Sequence, residues 1–126
     1  MERAESRVLS KAEDSGRALG FALLASLFVS FAQWQFKDAS AGLSLQHPTA
    51  ALASPALWWG VFSYVVSLYW TLKAYQWGDI SFVLPVVSLC NVWNVVLGYF
   101  VLGEPLTAAR LLGTALILAG IAVLAR

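Results

Sequence analysis

Charge is what this sequence has least of. Only 12% of its 126 residues are Asp, Glu, Lys or Arg, against about a quarter in soluble domains. The formal net charge of +1 says nothing about nucleic acid, but no dense Lys/Arg run exists, so no nucleic-acid partner is expected. The single cysteine, Cys90, allows no intrachain disulfide, and its place in an apolar run reads as a small buried hydrophobe. The single histidine, His47, stands beside a proline in an outer loop and reads as solvated. No metal-ligand spacing, nucleophile–His–acid set or phosphate loop is present, so neither enzyme chemistry nor a cofactor is expected.

The most informative absence is of acids inside the apolar segments. Asp38, Asp79 and Glu104 all fall at segment ends or turns. A charge at the bilayer centre costs about 2.5–3.5 kcal/mol even on insertion scales, and is kept only for work such as proton coupling or cation binding. Its absence argues against proton-driven export of organic cations.

What the chain has is apolar surface: 60% hydrophobic residues and a mean hydropathy of +0.72. Four segments of bilayer length follow, near 18–36, 56–76, 80–102 and 108–125. The expected fold is therefore an all-α integral membrane bundle of four transmembrane helices in one domain. Residues 1–16 mix both charge signs and read as a short solvated or interfacial helix ended by Ser15-Gly16. Ala39-Ser40-Ala41 resembles a signal-peptidase site, but the preceding apolar run is too long and ends in Gln33-Trp34-Gln35-Phe36-Lys37, so a retained span is expected.

Segment ends carry local signals. Ser54-Pro55 and Asp79 are read as starts of the second and third spans, and the small-residue connection before Ser54 as partly helical. Gly103 suits a left-handed C-cap, Pro105 a stop, and Thr107 an N-cap for the fourth span. Arg3, Arg7, Lys11, Arg17, Lys73 and Arg126 gather on the side of the N-terminus, and only Lys37 and Arg110 on the other. That bias puts both termini in the cytoplasm. Trp34, Trp58, Trp59 and Trp77 fit aromatic belts at the two interfaces; Trp70 and Trp93 lie too deep for that.

The spans hold neutral polar groups instead of charges. Ser26, Ser30 and Gln33 share one helix face at i, i+4, i+7; Ser63, Tyr64, Ser67, Tyr69 and Thr71 lie in the second span; Ser88, Asn91 and Asn94 lie in the third with Trp93 between the two asparagines. Hydroxyls and amides interleaved with aromatics suit a sugar or polar headgroup. Interhelical hydrogen bonding, worth about 0.6–2 kcal/mol per bond, is the other use of the same residues. Lys37 and Arg110 could hold a lipid phosphate by charge-assisted bonds, or simply snorkel to the interface. Glu104 reads as structural, facing the fourth helix N-terminus or pairing with Arg110. Gly113, Leu116 and Gly120 mark a small-residue face on the fourth span, suited to close approach of another helix, within the chain or from a second subunit.

Leu84-Pro85-x-x-Ser88-Leu89, the turn Gly103-Glu104-Pro105-Leu106-Thr107 and Gly113-x6-Gly120 together resemble the drug/metabolite transporter superfamily, in its small multidrug resistance size. Pro85, Ser88-Leu89 and Val92-Trp93, with Ala25-Ser26, Gln33 and Lys37, make the chain most similar to the small subunits proposed to flip aminoarabinose-phosphoundecaprenol. Where cation exporters of the superfamily hold an embedded Glu, this chain offers Ser26. The resemblance implies a bacterial inner-membrane transporter or flippase subunit for a polyprenyl-phosphate-linked sugar or similar polar-headed lipid. The substrate residues expected are Ser26, Gln33, Lys37, Tyr64, Asn91, Trp93, Asn94 and Arg110. It implies work as a dimer, with a parallel second copy or a related, oppositely oriented chain, and Gly113, Leu116 and Gly120 as the interface. Export of a small soluble metabolite or cation, and a non-transporting accessory role beside a membrane glycosyltransferase or transporter, are the alternatives.

Overall fold

The computed structural model describes residues 2–44 and 47–124. Arg126, counted in the charge bias, and the expected end of the fourth span at residue 125 lie outside the described residues. The elements are α1 (Glu2–Ser40), a short 3-10 helix (Pro48–Ala53), α2 (Pro55–Trp77), α3 (Ile80–Val87), α4 (Cys90–Phe100) and α5 (Ala108–Leu124). The described residues contain no strand, only an isolated bridge between Ser44 and His47. Glu5–Ser40 and Ile80–Phe100 are long and apolar enough to cross a membrane, and Ala108–Leu124 is a shorter apolar helix. The chain is an all-α membrane protein.

The helix starts fall where the breakers and caps place them. Ser54, Asp79 and Thr107 immediately precede α2, α3 and α5. Only Thr107 caps with its side chain, its Oγ1 accepting from the Arg110 N–H at 3.3 Å; Ser54 and Asp79 make no side-chain cap bond. Gly103 has φ +64°, the left-handed value that a glycine adopts without a Cβ clash. The connection between α1 and α2 curls as expected, held by a bond from Trp58 Nε1 to the Leu52 carbonyl at 3.0 Å.

Two expectations are corrected. The N-terminal segment does not end at Ser15-Gly16: α1 runs unbroken through it for 39 residues, a length of about 58 Å. One glycine costs a helix only about 1 kcal/mol, and ties on either side of Gly16 offset it. Arg17 pairs with Glu13 at 2.9 Å, one helical turn across the glycine, and its guanidinium lies 5.0 Å from the Trp77 ring centroid. The third span is likewise not one helix. Pro85 offers no N–H to the Ser81 carbonyl, and one turn later the ladder tightens. Leu89, Asn91 and Val92 donate to Val86, Ser88 and Leu89 at 3.0, 3.0 and 2.9 Å, all with three-residue spacing. Ser88 Oγ donates to the Leu84 carbonyl at 3.0 Å and Asn91 Nδ2 to the Ser88 carbonyl at 3.1 Å, so side chains serve the disturbed backbone.

Packing centres on α1. Its buried Ala18, Ala22, Ala25, Val29 and Ala32, followed by Ala39, recur in alternating steps of four and three, the spacing that keeps one seam facing a partner helix. The partner is α2, antiparallel, whose buried Gly60, Ser63, Ser67 and Ala74 repeat in the same rhythm. A Cβ on Gly60 would lie 3.2 Å from the Ala32 carbonyl oxygen, so the helices touch nearly backbone to backbone. In lipid, where apolar surface gains little by meeting apolar surface, such close contact is what holds helices together. The deep tryptophans are explained here too: Trp70 stacks on Phe21 with centroids 5.7 Å apart, and Trp93 reaches α1 through its ring N–H. By contrast, α5 has no buried residue.

Candidate functional site

A second face of α1 is polar, and α4 supplies its partners. Ser26, Ser30, Gln33 and Lys37 follow at i, i+4, i+7 and i+11, a row about 16 Å long. Ser26 Oγ donates to the Leu23 carbonyl at 2.7 Å and accepts from Trp93 Nε1 at 3.2 Å. Ser30 Oγ donates to Asn94 Oδ1 at 2.6 Å, and Asn94 Nδ2 donates to Gln33 Oε1. Ser26 and Ser30 are fully buried. The upper rungs are thus interhelical hydrogen bonds between α1 and α4, and the use of these serines as glue is what the geometry displays.

The row ends in charge. Glu104, in the turn between α4 and α5, pairs with Lys37 of α1 and with Arg110 of α5, the latter at 2.9 Å. Lys37 and Arg110 side chains are half exposed, so they remain reachable from outside. Two clefts flank this cluster. One of about 210 Å³ is lined by Gln33, Trp34, Lys37, Asn94, Gly98 and Glu104 among others. The other, of about 380 Å³ between α4 and α5, includes Asn91, Asn94, Glu104, Arg110, Gly113 and Thr114. Asn94 and Glu104 belong to both and form the wall between them.

Of the residues expected from sequence, Ser26, Gln33, Lys37, Trp93, Asn94 and Arg110 fall along one track. Asn91 borders the second cleft, its amide nitrogen occupied by the Ser88 carbonyl. Tyr64 stands apart: its ring lies 6.4 Å from Phe36 and it lines neither cleft. Gly113 borders the second cleft, while Leu116 is 72% exposed and Gly120 is open. A Cβ on Gly113 or Gly120 would meet nothing within 4 Å, so no helix of this chain requires them to be glycine.

Sequence reasoning overlooked two participants. Gly98, buried in α4, leaves the space into which the Glu104 carboxylate folds: a Cβ there would lie 3.3 Å from Glu104 Oε2. A lone glycine within an apolar span was its only signal. Trp34, read as belt, also lines the smaller cleft.

Comparison with known proteins identifies the kind of membrane protein this is. No curated protein and no solved structure matches the chain. One family does, over residues 5–126, nearly the whole length: the chain belongs to the EamA-like transporter family.

Proposed function

We propose that this chain is a transporter or flippase subunit of the bacterial inner membrane, moving a polyprenyl-phosphate-linked sugar, of the aminoarabinose type, or a similar polar-headed lipid. Its spans are α1, α2, the consecutive α3–α4 pair and α5, with both termini in the cytoplasm. The observation that carries the reading is the polar track from Ser26 to Lys37, ending at two half-exposed cations beside open clefts. Lipid tails stay in the bilayer while the headgroup passes along the track, its phosphate held by Lys37 and Arg110. Gln33 and Asn91 offer it neutral hydrogen-bond partners.

A dimer supports this path. The larger cleft borders α5, whose Leu116 is 72% exposed and whose Gly120 has open space where a Cβ would be, and Gly113, Leu116 and Gly120 give a second helix a close approach. That helix belongs to a second copy or to a related chain of opposite orientation. One observation favours a second reading, an accessory subunit without transport of its own: Ser26, Ser30 and Asn94 already spend hydrogen bonds within the protein.

The test is headgroup translocation in proteoliposomes, following a fluorescent polyprenyl-phosphate sugar by its accessibility to an impermeant quencher. Transport predicts faster loss of the protected pool than in protein-free vesicles, and slower loss with Lys37→Ala than with the boundary control Gln35→Ala. No acceleration by the chain, alone or with its co-purified partner, removes the lipid-flipping reading and leaves export of a small soluble metabolite or cation and the accessory role.

A further inference from the structure

The α4–α5 turn holds a carboxylate between two cations that come from different helices. With Gly103 in the left-handed region, the Glu104 N–H bonds back to the Gly98 carbonyl at 2.9 Å, which folds Glu104 over the end of α4. Its carboxylate rests against the bare Cα of Gly98, with one oxygen toward Lys37 and the other 2.9 Å from Arg110 Nη1. Glu104 is the most enclosed of the three, at 28% exposure against 50% and 51% for its partners. Two positive charges and one negative leave the trio with one positive charge.

That sum has a chemical meaning at a site bounded by Trp34, Leu97 and Leu102. Beside apolar walls an unneutralised charge is costly, so the best ligand cancels what the site carries. A phosphodiester carries one negative charge. A phosphomonoester carries about −1.5 to −2 near neutral pH, and the excess would face the Glu104 carboxylate. The 210 Å³ cleft on the Lys37 side of Glu104 is several times the ~30 Å³ share of a water molecule, room enough for a phosphate group with its ester oxygens, and Arg110 lines the adjoining cleft across the Glu104 wall.

We infer that Glu104 is a specificity residue that sets the headgroup charge accepted at Lys37 and Arg110, matching them to a phosphodiester and rejecting a phosphomonoester. The inference rests on the phosphate reading proposed above. It distinguishes a lipid whose phosphate still bears a sugar from the bare carrier phosphate left once a glycosyl transfer has removed that sugar. The track therefore admits the loaded lipid and leaves the spent one.

Calorimetric titration of the full chain in detergent tests this, with three probes of one ten-carbon isoprenoid tail: citronellyl phosphate, its methyl diester, and the neutral alcohol. The wild type should favour the diester by about fivefold, the factor of one half-exposed ion pair. Glu104→Gln raises the site to two positive charges and should shift the preference to the monoester. Adding Lys37→Gln to that variant returns the sum to one and should bring the diester preference back, which damage to the fold would not do. Lys37→Gln alone leaves no net charge and should bring both esters down to the level of the alcohol. An unchanged ester ratio in Glu104→Gln, or retained diester binding in Lys37→Gln, overturns the charge rule while the phosphate site stands. Equal binding of the alcohol and both esters to every variant overturns the phosphate reading itself.

Discussion

Glycine to alanine at two positions should change stability in opposite directions. At Gly78, in the corner between α2 and α3, an added Cβ would lie 2.7 Å from the Ala18 Cβ and 3.3 Å from Val83 Cγ2. The first contact must open by about 0.7 Å to reach the 3.4 Å at which ordinary contact begins; overpacking of this kind typically costs 1–3 kcal/mol. Ala18 has no rotamer with which to yield, and both it and Val83 are fully buried. Gly78 has an extended backbone, φ −145°, so alanine also gains about 0.4–1 kcal/mol by restricting the unfolded chain. The expected net loss is about 1–2 kcal/mol. At Gly20, within α1, an added Cβ meets nothing within 4 Å, and Gly20→Ala should gain about 0.5–1 kcal/mol from helix propensity alone. Unfolding of the purified protein by SDS in mixed micelles, followed by helical circular dichroism, gives both values on one scale. A Gly78→Ala variant as stable as Gly20→Ala would refute the close approach of α1 to the α2–α3 corner.

Two further outcomes follow from the same contacts. Asn94→Ala removes the partner of both Ser30 and Gln33 and should cost more than Ser30→Ala, which loses one interhelical bond worth about 0.6–1.7 kcal/mol; the same unfolding assay ranks them, and equal losses would mean that the Gln33 bond contributes nothing. Pro85→Ala returns an N–H to the Ser81 carbonyl and should draw residues 88–92 toward regular four-residue bonding, seen as slower amide exchange there; unchanged exchange would mean that Ser88 and Asn91, not Pro85, maintain the break.

Much of the fold was legible because its signals are local. Pro55, Gly103 and Thr107 each act within a few residues, and the helix boundaries lie beside them. The row Ser26, Ser30, Gln33 was legible as a face, since helical spacing alone puts those residues in line. Which way that face turns is decided by what packs on the remainder of α1. The alanine stripe at 18, 22, 25, 29 and 32 takes α2 and leaves the serines to α4. That stripe is present in the sequence, but the glycines of the fourth span are the more conspicuous small-residue signal, and a Cβ added at either would meet nothing within 4 Å. Tyr64 was expected on the track because it is polar and mid-span, yet its helix meets α1 on the other side. The break after Pro85 was obscured because its effect appears three residues downstream, where Ser88 and Asn91 look like substrate groups but also bond the backbone. For Glu104 the sequence offers only local partners, the fourth helix N-terminus and Arg110; its link to Lys37 joins residues 67 positions apart, which no local rule reaches.

The unbroken length of α1 has a mechanical consequence. With the span near residues 18–36 centred in the bilayer, the N-terminal arm of this 39-residue helix reaches about 38 Å from the bilayer centre, of which the bilayer core takes up only about 15 Å. A tilt of about 10° therefore carries the N-terminal end sideways by about 6–7 Å. The same rotation shears the alanine seam and the serine rungs together, since both ride on one rigid rod. The charged stretch around Arg3, Arg7 and Lys11 is thus a handle: whatever grips it in the aqueous phase gains leverage on the groove.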